Sequence, residues 1–432
     1  MSSRWSIRTG LLLALVLVLG LTSLGYAEPV TLRFVSLAWQ EQSVAANLAI
    51  VEEWNKLNPD IQVEYVQGSW DSIHDYMVTS FETRDVPDIF HYESAQIIDF
   101  SQRGYLTDLS PLIPEEMKAD IFDGAWQSVS NEEGQIFGIP FLWESLIVLY
   151  NKDILEEAGI ELPTSDNPWT WDDLRRVAKE LTKDFDGDGE IDQWGAAIPL
   201  RAPVNRIMNL TLGYGGGYFQ KVDGKHQIRV GLAEKALLQI IMDMIYVDKT
   251  AYPGAVGLSG TAVLPAFYEG DYALIPGIGV WARQQIVENA PADFRWGVLP
   301  PIKGVSQAQG ANPQTLSIPK DSKHAEEAME FIKFFLTKEN MAKLALGDWM
   351  FPTRESALAL PEFQTDEAGW KVSSETVQHL VMGPWQDSPA YAEWKDRVAT
   401  PVLQELFSNQ ITVEEAAQRM EEEGQRILRR YQ

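Results

Sequence analysis

The 432-residue chain contains no cysteine. That excludes disulfides, thiolate metal sites, cysteine nucleophiles and lipid attachment through a cysteine. Basic residues are in short supply: 35 Lys and Arg stand against 62 Asp and Glu, a formal net charge of −27. A polyanion such as nucleic acid needs a basic patch and is repelled by a surface of this sign. Histidine is scarce too, and His74, His91, His226, His324 and His379 fall in no metal-ligand spacing. Gly257-Leu258-Ser259-Gly260 does not fit G-x-S-x-G, and no Gly-Lys-Ser/Thr follows the glycines of Gly213–Gly217. That glycine run reads as a tight turn where backbone approaches another group closely. Carboxylates are too numerous for counting to exclude a glycosidase pair, but nothing local singles one out.

Long apolar runs are missing save one, Gly10–Leu24. Arg4 and Arg8 precede it, and Gly25-Tyr26-Ala27 places small residues three and one before a cut. This is the pattern of a secretory signal peptide over residues 1–27, and the run is short for a span of about 20 residues. The expectation is an exported protein, soluble in a periplasm and not lipid-anchored, because no cysteine stands at the cut.

Hydrophobic residues make up 45% and charged residues 22%, which places the chain with folded globular proteins. Fifteen Trp, 14 Tyr and 17 Phe exceed what a core requires, so some are expected to line a binding surface. Residues 30–37 alternate like a strand, 43–57 carry one apolar helical face, Asn58-Pro59 stops that helix, and 61–66 alternate again. This is a βαβ unit with a parallel pair. The pattern continues with helices over 71–82, 95–104, 172–183 and 233–246, and strands over 88–91, 146–150 and 272–276. Helices then follow over 324–336, 341–346, 390–408 and 413–430. The class is α/β.

One segment is sharper. Asp184-Phe185-Asp186-Gly187-Asp188-Gly189-Glu190-Ile191-Asp192 sets acids at relative positions 1, 3, 5, 7 and 9 with Gly at 4 and 6, like the front of a calcium loop. Position 12 is Gly195, where an EF-hand has a bidentate Glu, and no second helix is expected. The alternatives are a structural calcium ion held by Asp184, Asp186, Asp188, Glu190 and Asp192, or an Asx-rich acidic turn without metal. No other cofactor is expected.

In order and spacing, several segments resemble the extracellular solute-binding proteins of bacterial ABC importers, in the carbohydrate-binding family that includes maltodextrin-binding proteins. They are the opening TLRFVSL; Glu53-Trp54-Asn55-Lys56-Leu57-Asn58-Pro59; Ile61-Gln62-Val63-Glu64; Pro87-Asp88-Ile89-Phe90; Gly138-Ile139-Pro140; Leu149-Tyr150-Asn151-Lys152-Asp153; Tyr268-Glu269-Gly270-Asp271-Tyr272-Ala273; and Thr412-Val413-Glu414-Glu415-Ala416. The resemblance spans essentially the whole mature chain. Several relatives carry the acidic loop at the same place, some with calcium.

The resemblance implies a type II periplasmic-binding-protein fold: two lobes, each a mainly parallel sheet flanked by helices, closing about a multi-strand hinge. Lobe I would comprise 28–140 plus about 314–350, and lobe II 141–313 plus about 351–432. Hinges would lie near 138–141, 312–317 and 351–353. Sugars offer apolar C–H faces to aromatic planes and hydroxyls to carboxylates, amides and Arg. The cleft lies outside the carboxyl ends of the strands. The loops there supply Trp39, Gln40 and Glu41; Trp70; and Tyr92, Glu93 and Ser94. Tyr92 matches a family aromatic position and Glu144 a family hinge glutamate, beside Trp143. The second-lobe Trp position falls on Val280 within Gly277–Trp281, so Gly279 and Trp281 enter the set. Trp349, Arg354 and Trp385 complete it. The expected function is non-catalytic: a monomeric receptor that delivers a carbohydrate to the permease subunits. The competing readings are the same fold holding a glycerol-phosphate diester or another small solute, and a secreted glycoside hydrolase.

Overall fold

A computed structural model describes residues 29–386 and 388–431. The signal-peptide expectation lies outside these residues. Fourteen strands are described: β1 Val30–Ser36, β2 Ile61–Gln67, β3 Ile89–Glu93, β4 Ile139–Trp143, β5 Leu146–Asn151, β6 Trp194–Ala196, β7 Phe219–Val222, β8 Lys225–Ile228, β9 Tyr272–Gly279, β10 Trp296–Leu299, β11 Gln309–Ala311, β12 Gln314–Ser317, β13 Phe351–Pro352 and β14 Leu380–Met382. They build a six-stranded sheet in the order β13-β4-β12-β3-β1-β2, a four-stranded sheet in the order β10-β5-β9-β6, and two small pairs, β11-β14 and β7-β8.

The expected βαβ unit is present. β1 pairs in parallel with β2, from Val30 with Ile61 to Ser36 with Gln67, and the helix Glu41–Leu57 connects them. Its apolar face packs inward through Ile50, Val51 and Trp54. Phe34 on β1 meets Phe331 and Phe335 of the helix Ala325–Phe335 at ring separations of 5.6 and 5.2 Å. Burial of such rings is the main driving term for the first layer.

Sheet direction departs from expectation. Parallel pairs are β1-β2, β1-β3, β6-β9 and the small pair β11-β14. β12 and β13 return antiparallel onto β3 and β4, and β5 lies antiparallel between β9 and β10. Local period does not encode direction: parallel and antiparallel strands share the same two-residue alternation, and direction is set by the path the chain takes between them. Three passages cluster at one edge of the first sheet. β4 leads through Glu144 and Ser145 into β5; β11 leads through Asn312 and Pro313 into β12; and β13 leads out of the helix Lys338–Asp348 toward Arg354.

The expected helix over 390–408 is broken into Tyr391–Trp394, a π-helical turn Lys395–Ala399 and Thr400–Phe407. Pro401 has no N–H to close a bond onto Arg397, so the turn widens. The helix expected over 233–246 likewise ends at Met242 and passes into a π-helical turn at Asp243–Val247. The glycine-run turn is accounted for: Gly217 and Tyr218 N–H groups donate to the buried Glu234 carboxylate.

Candidate functional site

The two sheets enclose a cavity of about 340 Å³. From the first sheet's side it receives Trp39 and Gln40 after β1, Trp70 after β2, Glu93 at the end of β3, and Asn312, Gln314, Asp348 and Met350 from the passages. From the other side come Glu144, Gly279 and Trp281, the helix Pro203–Gly213 through Asn205, Arg206 and Asn209, the loop Leu258–Gly260, and Gln309, Trp385 and Tyr391. The walls therefore combine four indole rings with three carboxylates, several amides and one guanidinium.

Glu144 and Trp281 form the centre of one wall. Trp281 Nε1–H donates to Glu144 Oε1 at 2.8 Å. Gly279 makes this possible: a Cβ there would lie 2.0 Å from Glu144 Oε1 and 2.3 Å from Trp281 Nε1. The Glu144 carboxyl is pushed up to about 7 by loss of hydration, and the charges of Glu93 and Asp348 add to the rise. The Trp281 hydrogen bond and Arg206 pull it down. Burial likewise raises Asp348 to about 6, against hydrogen bonds from Gln40, Ser43 and Gln314. Arg206 is brought down to about 10 by burial, opposed by Glu144, and two of its nitrogens donate to the Gly277 and Pro199 carbonyls.

The aromatic rings are set at different depths. Trp39 is half exposed and meets Trp281 edge-to-face at 6.4 Å, so residues from both sheets touch at the cavity. Trp70 leans on His91 at 5.5 Å. Trp385 is 5% exposed and tilts against Tyr391 at 6.4 Å. Gln40 is buried; its Nε2 donates to the Asp348 carbonyl at 2.8 Å, while its Oε1 has no hydrogen-bond partner.

Eight of the expected ligand residues thus meet at one cavity: Trp39, Gln40, Trp70, Glu93, Glu144, Gly279, Trp281 and Trp385. Six do not line it. Glu41 opens the helix Glu41–Leu57 and is exposed, where its charge favours the helix N-terminus. Tyr92 alternates with Glu93 along β3 and therefore faces a second cavity of about 280 Å³ with His74, Asp99 and Asp396. Tyr391 borders both cavities. The buried Ser94 Oγ donates to Asn312 Oδ1 at 2.9 Å. Trp143 is buried against Phe122. Trp349 caps its helix in the left-handed region at φ 53° and stacks on Trp370 at 5.3 Å. Arg354 pairs with Asp120 at 3.0 Å.

The sequence reading missed Asn205, Arg206, Asn209 and Asp348. The first three follow β6, so the rule that ligand loops lie beyond strand ends would have reached them had it been applied to that short strand. Asp348 directly precedes Trp349, whose ring drew the expectation although it is the neighbouring carboxylate that reaches the cavity.

In the acidic loop, Asp184, Asp186 and Asp188 are exposed, and one carboxylate oxygen from each lies within 4.8 Å of the others. Glu190 and Asp192 stand outside this group, and Asp192 accepts a hydrogen bond from Phe185 N–H at 2.6 Å. Gly195 at position 12 admits no side chain, because a Cβ would lie 1.9 Å from the Ala178 carbonyl oxygen. The three clustered acids suit a hard cation with several waters; the five-residue ligand set of the sequence reading does not assemble.

Comparison with known proteins places residues 38–342 on the profile of the bacterial extracellular solute-binding proteins. The chain is 43% identical over 388 residues to an uncharacterized lipoprotein in the oleD 5′ region of Streptomyces antibioticus, covering 89% of this chain and 84% of that one. It is 28% identical over 298 residues to the arabinooligosaccharide-binding protein of Bacillus subtilis, covering 66% and 64%. Among solved structures, the sugar-binding protein MalE of Xanthomonas citri superposes with a TM-score of 0.80 at 19% identity, covering 93% of this chain and 98% of that one. An ABC substrate-binding protein of Listeria monocytogenes in complex with cycloalternan gives 0.75 at 22%, covering 92% and 99%.

Proposed function

The chain belongs to the bacterial extracellular solute-binding proteins, and we propose that it is the carbohydrate receptor of an ABC importer. Its fold is that of the type II periplasmic binding proteins. The observation that carries the proposal is the cavity in which Trp39, Trp70, Trp281 and Trp385 surround Glu93, Glu144 and Asp348. Indole faces suit the apolar faces of sugar rings, and carboxylates and amides suit their hydroxyls. A relative named for arabinooligosaccharide, and a neighbour solved with cycloalternan, support the same ligand class. A thermal-shift screen over mono- and disaccharides, polyols and glycerol phosphates tests it, since a ligand held only by the folded state raises the melting temperature. Absence of a shift with every sugar would sink the reading.

Glycerol-phosphate diesters are disfavoured because three carboxylates outnumber the one guanidinium in the walls. The proposed role is non-catalytic; cleavage of a candidate oligosaccharide on incubation would instead reveal a glycoside hydrolase. The receptor would act as a monomer that docks on permease subunits, with lobe I over 28–140 and about 314–350, lobe II over 141–313 and about 351–432, and hinges at the three passages. It would be exported and soluble in the periplasm. The Streptomyces relative is named a lipoprotein, but this chain has no cysteine to acylate. The loop of Asp184, Asp186 and Asp188 is proposed to hold a structural calcium ion, which would draw the three carboxylates together on one face of the second lobe.

A further inference from the structure

Donors and acceptors are unevenly distributed around the cavity. Trp281 Nε1–H is taken by Glu144, Gln40 Nε2 by the Asp348 carbonyl, Gln309 Nε2 by the Leu146 carbonyl and Asn209 Nδ2 by the Asn205 carbonyl. Two nitrogens of Arg206, the guanidinium in the walls, donate to backbone carbonyls. The amide oxygens of Gln309, Asn209 and Asn312 likewise accept from Leu146 N–H, Gly310 N–H and the Ser94 hydroxyl, but those of Gln40 and Gln314 are left over. Gln40 is 4% exposed and its Oε1 accepts nothing, although buried amide oxygens normally have a partner. Glu93, Glu144 and Asp348 bring three carboxylates to the same walls, and Glu93 and Asp348 both act electrostatically on Glu144.

With three carboxylates against one guanidinium, two of whose nitrogens are engaged by backbone carbonyls, the walls favour a ligand that brings donors and positive charge. Hydroxyls can donate but leave the mutual repulsion of the carboxylates in place. An ammonium group carries three donors and no acceptor and relieves that repulsion directly. Indole faces such as those of Trp39, Trp70, Trp281 and Trp385 also attract a cation near their plane. The amide nitrogens of Asn205 and Asn312 remain for ring hydroxyls.

We infer that the preferred ligand is an amino sugar, a saccharide carrying a protonated amine that sits among Glu93, Glu144 and Asp348. The inference rests on the receptor reading above and narrows its ligand class. Neutral sugars are weaker ligands of the same cavity, and N-acetylation, which removes the charge, costs affinity. Uronic acids are rejected. Ionisation of the carboxylates strengthens amine binding as pH rises from roughly 5 to 7. The charged and titratable groups that face Glu144 are Glu93, Arg206 and Asp348. Asp348 is faced by Gln40, Ser43 and Gln314 as hydrogen-bond donors, with Tyr65 beyond them.

Isothermal titration of the purified chain separates these cases. The probes are glucosamine, galactosamine and chitosan oligosaccharides, each against its neutral parent and its N-acetylated form, with glucuronate as the anion. The expected result is binding of at least one amine about tenfold or more tighter than its neutral and acetylated counterparts. Glu144→Gln and, separately, Glu93→Gln should shrink that ratio while binding of the neutral sugar changes less; using both variants guards against one that folds poorly. If neutral or acetylated sugars bind as tightly as every amine, the amino-sugar inference is overturned and the receptor reading stands. If no carbohydrate of any kind binds, both fall.

Discussion

At the scale of single residues, tryptophans of one chain divide into two kinds by what their rings touch. Trp281 borders the cavity, and its N–H is held by a carboxylate. Trp281→Ala is expected to weaken sugar binding by about tenfold or more, with a smaller change in melting temperature. Trp143 is 1% exposed among apolar side chains, so Trp143→Ala is expected to cost about 3–5 kcal/mol of stability through the cavity it leaves. Denaturant melts beside titrations distinguish the two. Tyr92→Ala belongs with the second kind, since Tyr92 is 7% exposed and faces away from the site. Glu144 gives a pH signature. Its carboxyl sits at about 7 in the folded chain, above the ordinary carboxylate range, because the cavity wall strips its water. Below the unfolded value the group is protonated in both states and costs nothing. Between the unfolded value and about 7 the unfolded chain has released this proton while the folded chain, whose acid is poorly hydrated, keeps it, so stability falls across that window and levels off once both states are ionised. Glu144→Gln should therefore flatten the decline in ligand-free melting temperature between about pH 4.5 and 7. Parallel curves for the two proteins would remove Glu144 as the cause.

Among secondary-structure elements, those whose information is local were legible and those set by distant partners were not. The period-two strands 30–37 and 61–66 and the helix between them appear as read, because alternation and the Asn58-Pro59 stop are both written within the segment. The direction of β5 against β9 and β10 was not legible, since it depends on where the chain travels after leaving the first sheet. Glu93 and Tyr92 show the same limit inside the site. Sequence placed both in one ligand loop, but the strand sends them to opposite sides. Trp349 and Arg354 were chosen for their nearness to a passage, and packing on Trp370 and pairing with Asp120 claimed them. The acidic loop can be tested as an element. Its Asp184, Asp186 and Asp188 carboxylates crowd together on the surface, so calcium should raise the melting temperature and chelator should lower it. Asp186→Ala should abolish both responses. Identical melting curves with calcium and with chelator would leave an Asx turn, whose Asp184 carboxylate is already bonded to the Gly187 and Gly189 N–H groups.

For the whole molecule, the consequential fact is that the ligand walls come from both sheets while the covalent links between the sheets are few and adjacent. Glu144 lies on one passage, Asn312 on a second, and Met350 beside the third. Trp39 reaches Trp281 across the cavity, an aromatic contact worth on the order of 1 kcal/mol. If the sheets belong to two lobes hinged at these passages, as proposed, a contact so small would not by itself hold them together, and rotation about the three neighbouring strands would open the cavity without breaking either sheet. A sugar that touches both walls adds contacts available only when the lobes are together, so it shifts the population toward closure by its differential affinity. Small-angle X-ray scattering should accordingly show a smaller radius of gyration at saturating ligand than without it. Trp39→Ala, which removes the bridging ring and leaves the passages intact, should enlarge the ligand-free radius or leave it unchanged, and should weaken binding. A radius that does not respond to saturating sugar in the unaltered protein would count against hinge closure, and a decrease that persists in Trp39→Ala would place the closing force in the ligand and not in the tryptophan pair.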